Sequence, residues 1–208
     1  MLKGMVLSVS GLTVMRAGLP ILAHLCFDIQ AGQILLIQGR NGVGKTTLLR
    51  CLAGLQTAAA GQIKMVTDSA AYAAHTDGVK LQLTVLENLQ FWADVFGTSH
   101  IDTALDAFDL RPLSTRLAAT LSAGQRRRLG LARMLLSNRP LWLFDEPTVS
   151  LDDRSVTLFA DAIKTHLNAA GAVIIATHTD LGIPADRLNL EPYRADRTVP
   201  VPFDQTFL

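Results

Sequence analysis

At 208 residues the chain is long enough for one sizeable core, alone or with a smaller appended lobe, and too short for two ordinary domains. Lys+Arg 19 against Asp+Glu 18 leaves a formal charge of +1, so no global field selects a polyanion and no nucleic-acid partner is expected. Apolar residues make up 49% of the chain, yet runs such as AVIIA at 172–176 fall far short of the roughly 18–20 residues that cross a bilayer.

The opening stretch, MLKGMVLSVSGLTV, has one lysine, no sustained apolar run and no small-residue cleavage site, so no secretory leader is expected and the cytosol is the expected compartment. Strands are predicted over 5–10 and 25–29. Cys26 and Cys51 have neither CxxC nor Cys/His ligand spacing and are expected to be small buried hydrophobes. A third strand, over 33–38, runs into GRNGVGKTT at 39–47, and TTLLRCLAGL then opens a helical pattern. Strand, loop and helix in that order are the setting that a G-x-x-x-x-G-K-[ST] phosphate loop requires. Gly39, Gly42 and Gly44 let the backbone turn its N–H groups inward, Lys45 can reach the β and γ phosphates, and Thr46 offers a hydroxyl to Mg²⁺. This predicts a nucleoside triphosphate site.

A strand follows over 61–66. From about Asp77 to Ser137 strand signals vanish, and TVLENLQFWADVF (84–96), IDTALDAFDL (101–110) and LSAGQRRRLGLARMLL (121–136) predict an inserted helical lobe. Arg126, Arg127 and Arg128 are expected as a solvated stripe, with contact to nucleotide or a membrane partner as the alternative. Apolar strands over 141–144 and 172–177 end in Asp145-Glu146 and in Thr177-His178, which places two carboxylates and an imidazole at the carboxyl edge of a parallel sheet. One carboxylate can support Mg²⁺ while its neighbour polarises the attacking water. The proline-containing tail after Leu190 gives no clear pattern.

Together these segments resemble the nucleotide-binding subunits of ABC transporters. The loop at 39–47, LSAGQ at 121–125, LWLFDE at 141–146, VSLD at 149–152 and His178 correspond to that family's Walker A, signature, Walker B, D-loop and switch histidine, in order. The resemblance implies an α/β P-loop NTPase with a mostly parallel core sheet, an N-terminal antiparallel β lobe and the inserted helical lobe about 77–137, all in one ATP-binding domain over 1–208. It implies an Mg²⁺-dependent ATPase that works as a head-to-tail homodimer. ATP would contact Gly39, Arg40, Asn41, Gly42, Val43, Gly44, Lys45, Thr46 and Thr47 of one copy and Ser122, Ala123, Gly124 and Gln125 of the other. By the same resemblance Glu146 would polarise the water, His178 would bridge it to the γ-phosphate, Asp145 and Thr46 would hold Mg²⁺, and Asp152 would couple the two sites.

Three departures stand out. Ala123 occupies a usual glycine, His75 stands where a glutamine usually touches Mg²⁺ and water, and no adenine-stacking aromatic precedes the loop, which leaves Arg16 as the candidate to stack on the base. The brevity of the chain, HTDGVKLQLTVLENLQF and GQRRRLGLAR look most like the ATP-binding subunit of the haem exporter of cytochrome c maturation. That resemblance implies integral membrane permease subunits, indirectly a haem chaperone, and a peripheral place on the cytoplasmic face of the bacterial inner membrane. Another exporter with different cargo, or a soluble non-transport ABC ATPase, are the alternatives. Trp92 is the residue expected to meet a permease.

Overall fold

The computed structural model describes residues 4–66 and 69–195. Two sheets carry the chain. Strands β1 (Met5–Arg16) and β2 (Leu19–Gln30) form a hairpin, and β4 (Ala60–Met65) joins β1 on its other side, all antiparallel. The second sheet is parallel throughout, in the order β5-β6-β7-β3-β8, with β3 at Ile34–Gln38, β5 at Ala70–Ala73, β6 at Leu141–Asp145, β7 at Ala172–Ala176 and β8 at Asp186–Asn189. Helix α1 (Lys45–Leu52) leaves β3, and α5 (Asp153–Asn168) links β6 to β7.

The apolar strand runs are explained by burial on both faces. Successive side chains point to opposite faces, so Leu141 and Leu143 enter a core shared with α1 and the antiparallel sheet, while Trp142 and Phe144 enter a core built with α5 and the helical segment. That segment holds α2 (Val85–Phe96), α3 (Ile101–Ala107) and α4 (Ala123–Leu136). Thr84 caps α2 in a reciprocal capping box with Glu87, and Gly97 ends it in the left-handed conformation. No helix among the described residues is long and apolar enough to cross a membrane.

The α/β class, the parallel sheet and the antiparallel N-terminal lobe are as expected, while several extents differ. The first two strands reach to 16 and back to 19 around a two-residue turn, because Ala17 and Gly18 both take the positive φ angles that tight hairpins favour. Bulges at Gly11 and His24 break the alternation that would have signalled that length. Strands β5 and β8 were not expected. Cys26 lies on the outward side of β2, exposed, its sulfur accepting from the Gly11 N–H at 3.1 Å, and only Cys51 is a buried thiol, its pKa pushed up by burial. The tail beyond Ala195 lies outside the described residues.

Candidate functional site

Four parallel strands end side by side, and the loops after their carboxyl ends carry the candidate residues: 39–47 after β3, Glu146 after β6, His178 after β7 and His75 after β5. This is the edge at which open α/β sheets hold ligands. After β3 the chain turns through the loop and enters α1 directly at Lys45. Gly44 has φ 124°, and a Cβ there would lie 3.0 Å from both Ile21 and Leu22, so only glycine lets this loop close against β2. Glu191 steadies the loop from outside, its Oε1 accepting from the Arg40 N–H at 2.9 Å.

Lys45 is only 8% exposed; its Nζ donates to the Gly39 carbonyl at 2.8 Å and lies 3.5 Å from His178 Nε2. His178 Nε2 in turn lies 3.6 Å from Glu146 Oε1. Cation, imidazole and carboxylate thus form one line across the ends of β3, β7 and β6. Among the described residues Lys45 has no carboxylate partner and Asp145, 3% exposed, has no cationic one. A buried positive and a buried negative charge left apart fit a ligand that brings both signs, phosphate for the lysine and a divalent cation for the carboxylate. Thr46, exposed on the first turn of α1, and Asp145 offer the hard oxygen donors that suit Mg²⁺.

Tyr72 on β5 points its hydroxyl toward Asp145 Oδ2, 3.5 Å away. Burial, then the neighbouring carboxylate, pushes its pKa up to about 12, so it stays a neutral donor at physiological pH. Behind the acids, Thr148 Oγ1 meets Thr177 Oγ1 at 3.2 Å and Thr179 Oγ1 at 2.9 Å, which joins the loops after β6 and β7.

Ser122 and Gln125 form a capping box at the tip of α4: Ser122 Oγ accepts from the Gln125 N–H at 3.2 Å, and Gln125 Oε1 accepts from the Ser122 N–H at 3.0 Å. Ser122 and Ala123 are exposed at that helix tip. Asp152 caps α5, accepting from the Ser155 N–H at 2.8 Å, and hydrogen bonds from the Ser155 hydroxyl and then from its N–H hold the carboxyl below the usual range. Arg16, at the end of β1, and His75 are both exposed.

The arginine run is not a solvated stripe. Arg127 is buried, and Arg128 donates to the carbonyls of Phe108 and Asp109 at 2.7 and 3.2 Å. Their partners lie in other segments, so spacing along α4 carried no sign of them. Tyr72, Thr148, Thr179 and Glu191 are absent from the residues picked out by sequence, because each serves through a backbone group or a partner far along the chain.

A profile of the ABC transporter family matches residues 22–149. The chain is 57% identical over 195 residues to the cytochrome c biogenesis ATP-binding export protein CcmA of Roseobacter denitrificans, covering 93% of this chain and 95% of that one. It is 52% identical to the protein of the same name from Paracoccus denitrificans, over 97% and 98% of the two chains. Among solved structures, an ABC transporter-type ATP-binding protein from Pyrococcus furiosus superposes with a TM-score of 0.80 at 26% identity, over 91% of this chain and 99% of that one.

Proposed function

Because this chain belongs to the ABC transporter family, and within it to the CcmA group of cytochrome c biogenesis ATP-binding export proteins, we propose that it hydrolyses ATP as the nucleotide-binding subunit of the haem exporter of cytochrome c maturation. Hydrolysis there powers release of the haem-loaded chaperone on the far side of the membrane. The observation that carries the chemistry is the line Lys45, His178, Glu146 at 3.5 and 3.6 Å, with a buried carboxylate, Asp145, beside it.

In this reading the loop 39–47 wraps the phosphates, Lys45 neutralises the β and γ oxygens, and the N-terminus of α1 adds its partial positive charge. Thr46 and Asp145 would hold Mg²⁺, which would supply charge neutralisation at the transferred group. Glu146 accepts a hydrogen bond from the attacking water and orients it in line, while His178 bridges Glu146 to the γ-phosphate. His75, in the loop after β5 at the same sheet edge, would touch Mg²⁺ and water. Arg16 stacks its guanidinium plane on the base.

Each copy holds half of two sites. Ser122, Ala123, Gly124 and Gln125 present N–H groups and the α4 dipole to nucleotide on the partner's loop, and Asp152 couples the sites across the dimer. The helical lobe, about 77–137, is the subdomain that meets the membrane subunits. A cleft of about 240 Å³ lined by Leu55, Tyr72, Trp92, Phe96, Arg133 and Met134 supports Trp92 as the contact. In this proposal the assembly sits at the cytoplasmic face of the inner membrane.

The test is a pair of substitutions in the complex purified from membranes. Glu146→Gln should bind ATP as before and accumulate an ATP-bound dimer, with turnover down by about 10²-fold or more, whereas Lys45→Ala should weaken ATP binding itself. Hydrolysis by Glu146→Gln at the unmodified rate removes Glu146 from the mechanism. Haem in the purified complex, or loss of c-type cytochromes on deletion, decides the cargo.

A further inference from the structure

We infer that Arg127 is the positioning residue of the hydrolytic acid: it holds Glu146 in its active posture and ties that hold to the His75 loop and the signature helix. The inference deepens the function proposed above and rests on Glu146 being the group that polarises the water.

Arg127 is 4% exposed and spends its whole fork on groups of the site. Nη2 donates to the Glu146 carbonyl at 2.8 Å and Nε to the Pro147 carbonyl at 2.9 Å. Nη1 turns the other way, donating to the carbonyls of Ala74 and His75 at 3.0 and 3.3 Å and to Asp77 Oδ1 at 2.9 Å. One planar group therefore bridges the ends of β5 and β6 from a position on α4 one turn behind the Ser122 tip. Gly130, a further turn on, makes the approach of that loop possible, since a Cβ there would lie 2.8 Å from the Asp77 carbonyl.

Glu146 needs this support. Its φ of 46° is a conformation that side chains other than glycine, asparagine and aspartate rarely adopt, and such a residue persists only where its surroundings hold it. Both of its backbone groups are held: its N–H donates to the Ala176 carbonyl at 2.8 Å, and its carbonyl accepts from Arg127. Freeing the carbonyl lets the backbone relax and swings the carboxylate away from His178. Lysine cannot substitute, because a single ammonium lacks the rigid fork that serves two directions at once. Displacement of α4 as its tip meets a partner's nucleotide is transmitted through the same guanidinium to the acid, a contiguous bonded route rather than mere proximity.

The test measures steady-state ATP hydrolysis, ATP binding and melting in the purified membrane complex for Arg127→Lys and Arg127→Met. Arg127→Lys should lower kcat about tenfold or more while KM for ATP stays within about threefold, and Arg127→Met should lower it further. Where Arg127→Met does not fold, Arg127→Lys decides alone. The double variant Arg127→Lys/Glu146→Gln should still accumulate the ATP-bound dimer, since the helix tip is intact. A kcat for Arg127→Lys within about twofold of the unmodified chain overturns the inference, and so does a loss spread equally over ATP binding and melting, the mark of a merely structural ion pair. Glu146→Gln active at the unmodified rate sinks the reading beneath; Glu146→Gln inert beside a fully active Arg127→Lys sinks this inference alone.

Discussion

Lys45 and Asp145 show how far single positions carry the argument. Both lie in short segments whose spacing and strand-end context reveal their chemistry, and both are buried charges with no partner of opposite sign among the described residues. A half-buried titratable group tells a different story. His166 stacks flat on Trp142, with ring centroids 3.7 Å apart, and burial holds its imidazole below the ordinary value of 6.5. The unfolded chain therefore takes up the proton first, so stability is whole above about pH 6.5 and is lost as the pH falls below it. His166→Phe keeps a ring on Trp142 and should flatten the drop in urea midpoint between about pH 7.5 and about pH 5.5. An equal drop in both proteins would assign the pH dependence elsewhere. Arg127 was illegible for a physical reason: in a basic run on a helix, only the fold reveals that its fork ends on four carbonyls and Asp77.

Among the elements, those with one clear period were the legible ones. The predicted helix 84–96 is found at Val85–Phe96, with Thr84 as its cap, and β6 and β7 match their apolar runs to within a residue. The two missed strands are the two edges of the parallel sheet. β5 is alanine-rich and β8 is polar, compositions that weaken the strand signal and that suit edges, where only one neighbour supports the strand. The entry to α2 depends on Asn88, which is buried and donates from Nδ2 to the carbonyls of Lys80 and Thr84 at 2.9 Å each, while its Oδ1 accepts from the Lys80 N–H at 2.8 Å. Asn88→Ala removes three side-chain bonds to the part-buried backbone of Lys80 and Thr84 and should cost about 2–3 kcal/mol in chemical denaturation. A loss under about 0.5 kcal/mol would mean that water takes over these bonds.

Across the chain as one body, the parallel order β5-β6-β7-β3 gathers loops separated by some hundred residues onto one rim, while Ser122 and Ala123 at the tip of α4 are exposed. The sharing of sites between two copies, proposed above, makes a prediction that no single-copy site makes. Complexes that pair a Lys45→Ala copy with a Ser122→Arg copy retain one intact site and should recover a substantial part of the ATPase rate, whereas a copy bearing both changes, paired with an unmodified copy, spoils both sites and should be nearly inactive. Phosphate release from the two tagged and purified pairings distinguishes them, and the reverse ranking would show each site to be complete within one copy. The aromatic pairs add a practical gift of a different kind. The two tryptophans of the chain stand in unlike surroundings, Trp142 against an imidazole and Trp92 between Phe91, Phe96 and the guanidinium of Arg133. Indole emission is quenched by a protonated imidazole at stacking distance, so an acid step should dim Trp142, while a membrane subunit seated in the Trp92 cleft, as proposed above, would shift the other band. The two tryptophans would thus serve as two unlabelled optical channels, one reading protons and, under the proposed contact, one reading assembly.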